Sequence, residues 1–262
     1  MHAQPQILHQ RTRGTADVAL QGGRIKRLFT QGSAKAITLP DPRRPEIVFL
    51  NTSGGLTGGD RLGYALQCDS DTTATTQTAE RAYRAGGGIA RMDVALDITR
   101  GRLDWLPQET ILFDRSALRR RTRIALGPEA ECLTLDAIVL GRAAMGETVQ
   151  DLLLHDTREI SRAGRPVLVE PLKLTAAALH GSATLAGARA FASMALVARG
   201  AEDALAPVRA ALDEPGVQGA ASGFDGKLTI RLMAADGWPL RRQIARLVQV
   251  LRPGPLPRVW QI

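Results

Sequence analysis

Short strand-like segments separated by turn residues dominate the first two thirds of the chain. Residues 92–98 show the pattern most clearly, because apolar side chains alternate there with Asp93, Ala95 and Asp97. A period of two places one set of side chains on a buried face and the other in solvent, as in a β-strand. Similar segments, bounded by Gly, Pro or Asp, lie at residues 46–50, 71–80, 89–98, 110–113 and 131–140. Strands at intervals of about ten residues predict a mainly β fold, a sandwich, a barrel or a β-solenoid, that is, a multi-sheet β array or a β-helix-like one.

Two α-helices are expected near the C-terminus. Residues 202–212 place Leu205, Val208 and Leu212 on one helical face, and acidic residues at their start suit the helix dipole. The second helix follows an expected N-cap at Asp236. Its apolar residues lie at helical spacing: Leu240, Ile244, Leu247, Val248 and Leu251. Its other face is basic: Arg241, Arg242, Arg246 and Arg252.

The organisation of the chain predicts one domain. Residues 226–233, between the two expected helices, form a strand-like segment, and no low-complexity linker interrupts the sequence. We therefore expect a single domain over residues 1–262, with a flexible N-terminus within residues 1–20.

The chain is basic, with 34 Lys and Arg against 26 Asp and Glu and a formal net charge of +8. Basic proteins attract polyanions or acidic protein surfaces. The densest run, residues 119–123, contains no aromatic residue, whereas a nucleic-acid binder more often places its charge beside stacking aromatics. A carbohydrate binder needs aromatic platforms, and Phe, Trp and Tyr make up only 4% of the chain. A basic β-rich module that binds nucleic acid or carbohydrate is therefore a minor alternative.

The cysteines and histidines form no recognisable metal or disulfide pattern. Cys68 and Cys132 lie far apart and form no CxxC motif, which disfavours a disulfide framework or a zinc site. The histidines are isolated, and each is expected to be structural or to lie in the N-terminal segment: His2, His9, His155 and His180. The sequence lacks a signal-peptide pattern and an apolar stretch of membrane-spanning length. We expect a cytoplasmic protein without a membrane partner.

A hydrolase is the remaining enzymatic alternative. Ser53, His155 and Asp156 could be combined into a triad, and Asp156 could orient the neighbouring imidazole. The chain has no GxSxG elbow, however, and no spacing supports the triad. The enzymatic alternative is therefore weak.

A glycine-rich stretch, residues 51–60, follows an apolar run and reads NTSGGLTGGD. It does not match the phosphate-binding pattern GxxxxGK[ST], because no Lys follows the glycines and Asp60 would repel a phosphate. It also does not open a helix, as a dinucleotide-binding fingerprint would. From the residues alone it predicts two tight turns with glycines at positive φ. The glycines are Gly54, Gly55, Gly58 and Gly59.

This stretch is one of five motif-like segments. They are residues 51–60 (with Asn51), 76–84 (TQTAERAYR, with Gln77 and Tyr83), 106–114 (LPQETILFD, with Gln108), 140–147 (LGRAAMGE, with Arg142) and 257–260 (PRVW). In this order they resemble segments of the urease accessory protein UreD (UreH) family. Each segment alone is a weak signal, but five in sequence are a strong one.

The resemblance implies a protein without catalytic activity. Members of that family bind the apo-urease structural subunits together with UreF and UreG, and they assist the delivery of nickel to the urease active site. GTP hydrolysis belongs to UreG. The family fold is mostly β, β-helix-like with two helices, which agrees with the pattern of strands above. No permanently bound cofactor is implied, and nickel would be bound only transiently.

A protein that passes Ni²⁺ onward should offer oxygen ligands in incomplete sets, because a full set of thiolates or imidazoles would hold the ion too tightly. The motif segments carry several carboxylates and no Cys or His. We expect four of them to be candidates for lining a nickel passage: Asp60, Glu80, Glu109 and Glu147. The alternative, that Glu80 pairs with Arg81 or Arg84 and Glu147 with Arg142, stays open.

Overall fold

The computed structural model describes residues 11–39, 41, 44–179, 181, 183–252 and 254–261. Its strands are β1 (Arg13–Gln21), β2 (Arg24–Gly32), β3 (Ala34–Leu39), β4 (Glu46–Asn51), β5 (Arg61–Cys68), β6 (Thr72–Gln77), β7 (Glu80–Ala82), β8 (Ala90–Ile98), β9 (Arg102–Trp105), β10 (Thr110–Leu112), β11 (Ser116–Leu126), β12 (Glu131–Leu140), β13 (Leu152–Arg162), β14 (Arg165–Thr175), β15 (Ala190–Val197), β16 (Val217–Phe224) and β17 (Lys227–Ala234). Its α-helices are α1 (Ala176–Leu179), α2 (Leu205–Ala210) and α3 (Gly237–Leu251). Short 3-10 helices cover Ala143–Met145, Ala201–Ala204 and Arg258–Trp260.

Successive strands in the middle of the chain alternate between two sheets. β5, β8, β11 and β13 pair in parallel in a seven-stranded sheet with the order β14-β13-β11-β8-β5-β1-β2. β4, β6, β9 and β12 pair in parallel in a ten-stranded sheet with the order β16-β17-β15-β12-β9-β6-β4-β3, to which β7 and β10 attach. Each turn of the chain thus adds one strand to each sheet, as in a β-helix. The prediction of a mainly β fold is confirmed, and its β-helix-like and multi-sheet forms describe the same array.

The apolar faces of the strands form two cores. One lies between the sheets, where Phe49 stacks on Tyr64 with 4.8 Å between ring centroids and meets Trp105 edge-on at 6.2 Å. The other lies between the outer face of the ten-stranded sheet and the helices. In β8 the buried residues are Met92, Val94, Leu96 and Ile98, as the period of two predicts. The molecule is therefore layered as sheet, sheet and helix.

The C-terminal helices are confirmed with one change of extent. The Asp236 side chain caps α3 by accepting a hydrogen bond from the Trp238 amide at 2.8 Å, and the predicted apolar face of α3 is buried. The helix expected over residues 202–212 is divided into a 3-10 turn and the short α2. α1 was not predicted, because four residues are too few to show helical periodicity.

The N-terminal segment enters the fold at β1. Residues 13–20, within the segment expected to be flexible, lie in β1 and pair with both β2 and β5. Residues 1–10, with His2 and His9, and also His180, lie outside the described residues. Among the residues described, no helix is long and apolar enough to cross a membrane.

Candidate functional site

Four of the five motif segments meet at one end of the array. The Leu56 amide donates to the Arg81 carbonyl at 2.7 Å, and the Tyr83 amide donates to the Leu56 carbonyl at 2.8 Å. β7 then pairs with β10 in parallel, and β10 pairs with β12, whose end leads into residues 140–147. We call the surface formed by residues 51–60, 80–84, 113 and 140–147 the signature end.

The glycines of residues 51–60 serve two different purposes. Gly54, Gly55 and Gly59 have positive φ, as the turn prediction requires. Gly58 does not, but a Cβ there would lie 2.3 Å from the Gly87 carbonyl oxygen. A Cβ on Gly55 would lie 2.5 Å from the Tyr83 ring. Close approach of backbone to neighbouring groups therefore explains Gly58 and adds to the requirement at Gly55.

Asp60 braces the glycine-rich loop. Its carboxylate is buried and accepts the amide hydrogens of Thr12 and Thr57, both at 2.8 Å. The loop is thereby tied to the start of β1. These hydrogen bonds explain why an acidic residue ends the motif.

Glu80 lies behind the glycine-rich loop without an ion-pair partner among the described residues. The Asn51 side-chain amide donates to its two carboxylate oxygens at 3.1 and 3.3 Å, and the Arg81 main-chain amide donates at 3.2 Å. Burial raises the pKa of Glu80 to about 7, against the opposing effect of these hydrogen bonds. The ion pair with Arg81 or Arg84 that was one of the open alternatives does not form. Gln77 lies nearby at the exposed end of β6.

Glu147 forms the alternative ion pair. Its carboxylate lies 2.9 Å from the Arg142 Nε atom and accepts the main-chain amides of Arg142 and Asp114, each at 3.2 Å. Burial would raise the pKa of Glu147, but Arg142 and these amides outweigh it and hold the pKa below its ordinary value. Glu147 therefore fixes the turn of residues 140–147.

The exposed part of the signature end is an aromatic and cationic stack. The Tyr83 ring is parallel to the Phe113 ring at 4.9 Å, and the Arg142 guanidinium covers the same ring at 4.8 Å. Tyr83 is 42% exposed and Met145 beside the turn is 73% exposed. Exposed Tyr, Met and Arg side chains are typical of protein–protein interfaces.

The side chains of Gln108 and Glu109 face α3. Gln108 accepts from Arg241 at 2.5 Å, and Glu109 lies 3.5 Å from the same guanidinium. Arg241 also covers the Trp260 ring at 4.6 Å, and Trp260 donates to the Leu106 carbonyl at 2.9 Å. The segment 106–114 and the C-terminal segment 257–260 thus hold each other in place.

The basic face of α3 is largely paired within the chain. Arg242 and Arg246 form ion pairs with Glu214, and Arg246 also pairs with Asp213. Arg252 was expected on the same face, but it is buried and its Nε atom lies 2.9 Å from Asp104. That placement is a correction, and its reason is that the chain turns inward after Leu251.

The arginine run of residues 119–123 is divided between the two faces of β11. Its burial pattern alternates, so Arg119, Arg121 and Arg123 are exposed while Arg120 points into the space between the sheets. Arg120 lies 3.1 Å from Asp136 and also pairs with Asp156. The run is therefore not a continuous basic surface.

Arg120 pairs with Asp136 and Asp156, which line a largely apolar cavity that the sequence did not predict. The cavity has a volume of about 380 Å³ and lies where β13 and β14 face β12, β15 and β17. Its polar lining consists of Asp136, Asp156, Arg158, Glu170, Ser193 and Arg231. Its remaining walls are apolar, among them Ile138, Leu174 and Phe191.

Three carboxylates and three guanidiniums alternate along this cavity. Asp136 lies 3.1 Å from Arg120 and 3.3 Å from Arg158. Arg158 and Arg231 both pair with Glu170, and both donate to the Ser193 hydroxyl, at 2.6 and 2.7 Å. The side chain of Arg158 is 2% exposed and that of Arg231 is 55% exposed. The polar lining therefore runs from the interior to the surface. We call the polar lining together with Arg120 the cavity cluster.

The electrostatics of the cavity cluster differ along its length. Burial raises the pKa of Asp136, and the nearby Arg120 and Arg158 only partly oppose it. Burial would also raise the pKa of Glu170, but Arg158 and Arg231 outweigh it and hold the pKa below its ordinary value. The outer carboxylate is therefore firmly charged, whereas the inner one is the more easily protonated.

The cavity cluster could have been found from strand periodicity. β13 alternates, so Leu152, Leu154 and Ile160 share one face with Asp156 and Arg158. Charged residues on an otherwise apolar face are the informative signal of a buried polar site. The same alternation separates His155 from Asp156, so Asp156 faces Arg120 rather than the imidazole.

The residues proposed for a hydrolase triad are not joined by hydrogen bonds. The Ser53 hydroxyl donates to the Asn51 side-chain oxygen at 2.6 Å, while Asp156 is occupied by Arg120. Burial raises the pKa of the thiols of Cys68 and Cys132 to about 12, so both are protonated at neutral pH. Among the described residues, no group of three His, Cys, Asp or Glu side chains has the arrangement of a metal site.

Comparison with known proteins gives a consistent match over nearly the whole chain. The model of the UreD urease accessory protein family matches residues 12–261. A urease accessory protein UreD of Cereibacter sphaeroides (strain ATCC 17025) is 59% identical over 269 aligned positions, covering 98% of both chains. Proteins of the same name from Paracoccus denitrificans and Jannaschia sp. are 54% and 48% identical, over 98% and 97% of this chain and 94% and 97% of theirs.

Proposed function

The chain belongs to the UreD urease accessory protein family and serves urease maturation, and we propose that it does so as a non-catalytic cytoplasmic scaffold. In this proposal it binds the apo-urease structural subunits together with UreF and UreG. It assists the delivery of nickel to the urease active site, and it holds nickel only in transit. The signature end, with its exposed Tyr83 and Met145, supplies one contact surface of this assembly.

The observation that carries the nickel part of the proposal is the cavity cluster. It offers carboxylate and hydroxyl oxygens from the buried Asp136 to the outer Glu170, and no thiolate or imidazole. Oxygen ligands suit a divalent ion that must exchange rather than remain. Each carboxylate is already engaged by an arginine, so an entering cation would have to compete for it. Binding would therefore be weak at each position, as transit requires.

In this proposal the four carboxylates of the motif segments are the weaker candidates for a nickel passage. Asp60 and Glu147 brace turns, and Glu109 faces Arg241 of α3. Glu80 is the one that lacks an arginine, and it lies in a narrow polar pocket behind the glycine-rich loop. The cavity carboxylates Asp136, Asp156 and Glu170 are therefore the stronger candidates for a nickel passage.

The test uses the intact chain co-expressed with the urease subunits, UreF and UreG. We expect the double variant Asp136→Asn/Glu170→Gln to lower nickel per urease active site by about 10-fold, because both ends of the passage lose charge. Co-purification of the accessory proteins with urease should be unchanged. The control is Glu129→Gln, whose carboxylate pairs with Arg199 on the open surface.

Two results would contradict separate parts of the proposal. Full nickel content in the double variant would remove the cavity from nickel delivery. Absence of any complex between the unaltered chain and the co-expressed proteins would remove the scaffold role itself.

A further inference from the structure

The two outer edges of the seven-stranded sheet are built differently. β14 forms one edge and β2 forms the other. β14 contains Pro166 and Pro171, which have no N–H group to donate to an added strand. β2 contains no proline, and its register with β1 is regular from Arg27 to Gly32. Only the β2 edge therefore presents an uninterrupted row of main-chain groups.

The β2 edge also exposes apolar side chains. Ile25, Leu28 and Phe29 in β2 are 51%, 49% and 48% exposed, and Ile37 in the adjoining β3 is 48% exposed. No residue of β2 is buried. Exposed large apolar side chains on two consecutive strands, β2 and β3, are a sign of an interaction surface.

The charge on the segment that carries β2 and β3 has one sign. Residues 22–39 contain Arg24, Lys26, Arg27 and Lys35 and no acidic residue. Arg27 pairs with Asp17 of the neighbouring strand at 2.8 Å. The other three basic residues form no ion pair within the part of the chain that the structure describes. Three uncompensated positive charges therefore flank the exposed apolar side chains.

We propose that the β2 edge accepts an extended, acidic and apolar segment of a partner protein, which adds a strand to the seven-stranded sheet. Main-chain hydrogen bonds along residues 27–32 would supply the register. Apolar side chains of the segment would cover Leu28 and Phe29, and acidic ones would meet Arg24 and Lys26. The inference rests on the proposed function, since the partner is taken to be a member of the urease maturation assembly.

The same observations disfavour other occupants. Pairing of two β2 edges from two copies would bring their uncompensated positive charges together, and like charges across a strand pair are destabilising. Nucleic acid would meet the basic side chains but would leave Ile25, Leu28 and Phe29 against phosphates. An acidic protein segment satisfies both the charge and the apolar surface.

Amide hydrogen exchange tests the strand addition directly, because it reports on main-chain hydrogen bonds. In the complex with urease subunits, UreF and UreG, alternate amides of residues 27–32 should exchange at least about 10-fold more slowly than in the free chain. Amides of β14 should be unchanged. A complex in which β2 exchanges as in the free chain overturns the inference and leaves the proposed function standing. If no complex forms, the proposed function fails instead.

A matched pair of variants tests the charge complementarity. Arg24→Glu/Lys26→Glu on β2 should weaken co-purification of the complex by about 10-fold or more, and added salt should weaken the unaltered complex. Arg165→Glu/Lys173→Glu makes the same change on β14, where both side chains are also exposed, and should have little effect. Equal losses in the two double variants would overturn the inference. So would dimers of the free chain joined through β2, detected by light scattering and exchange.

Discussion

Two buried clusters of arginine and carboxylate lie within this fold, and they differ in their balance of charge. In one, the fully buried Asp104 pairs with Arg44, Arg102 and Arg252. The other is the cavity cluster, in which three carboxylates meet three arginines. The first has one carboxylate for three cations, although Asp71 also accompanies Arg44 at 3.0 Å. The second has as many carboxylates as cations.

The difference shows that a buried ion cluster can either join two layers of a structure or line a cavity that reaches the surface. Arg102 and Arg252 bind Asp104 from β9 and from the end of α3, and Arg102 also donates to the Leu251 carbonyl at 2.7 Å. Asp104 thus joins the helical layer to the sheets through a single carboxylate. In the cavity cluster each arginine touches at least two acceptor groups, so each keeps a partner when one carboxylate is lost. Such redundancy suits the proposed nickel passage, because its side chains must keep hydrogen-bond partners while a cation binds among them.

The substitution Asp104→Asn should have the largest effect, because it leaves three arginines without their shared charge. We expect the free energy of unfolding to fall by about 3–5 kcal/mol, as when one partner of a buried ion pair is removed. Urea denaturation followed by circular dichroism measures it. Asp69→Asn is the control, since Asp69 lies 3.9 Å from an exposed Arg100 and should matter little. A loss at Asp104 no greater than that of the control would mean that the cluster does not join the layers.

Glu80 tests the opposite extreme, a buried carboxylate with no arginine. Its pKa is raised to about 7, so between about pH 4.5 and 7 the folded state holds a proton that the unfolded state has lost. Stability from this group is therefore complete below about pH 4.5, falls as the pH rises through about 7, and is constant above. The change is on the order of 3 kcal/mol.

The variant Glu80→Gln removes the titrating group and provides the comparison. Its unfolding free energy, measured by denaturation at several pH values, should lack the decline between about pH 4.5 and 7. Glu109→Gln is a suitable control, because it removes a carboxylate that faces Arg241 and leaves Glu80 in place. A decline that persists in Glu80→Gln would assign the pH dependence to another group.

The cavity cluster should respond more weakly than Asp104 to loss of one carboxylate. In Asp136→Asn, Arg120 keeps Asp156 and Arg158 keeps Glu170. We expect the free energy of unfolding to fall by about 1–2 kcal/mol, the cost of a lost charged hydrogen bond rather than of an unpaired cation. The measurement is the same urea denaturation. A loss equal to that of Asp104→Asn would erase the distinction between the two clusters.

The sequence predicts the repeating part of this fold better than its charged interior. Alternation in residues 92–98 and helical spacing after Asp236 are local patterns, so β8 and α3 follow from them directly. The cavity cluster is not local, because Arg120, Asp136, Arg158 and Glu170 come from four different strands. Only the pairing of β11 with β13, and the facing of the two sheets, brings them together. The motif segments were recognisable as a set, but the bracing role of Asp60 depends on the amide of Thr12, which sequence spacing does not reveal.

The smallest effect is expected at the signature end, where the charged groups meet water. Arg142 is 54% exposed in its side chain, so its pair with Glu147 is screened and should contribute no more than about 1 kcal/mol. The amides of Asp114 and Arg142 donate to different oxygens of Glu147, so Glu147→Gln keeps an acceptor for one of them, and the turn should survive the loss of charge. Because the folded-state pKa of Glu147 is lowered, the difference between the variant and the unaltered chain should be present above about pH 4.5 and vanish as the pH falls below it. Urea denaturation at neutral pH could instead give a loss of unfolding free energy as large as that expected for Asp136→Asn. The pair of Arg142 and Glu147 would then behave as a buried ion pair, and the contrast between the buried clusters and the solvent-exposed signature end would not hold.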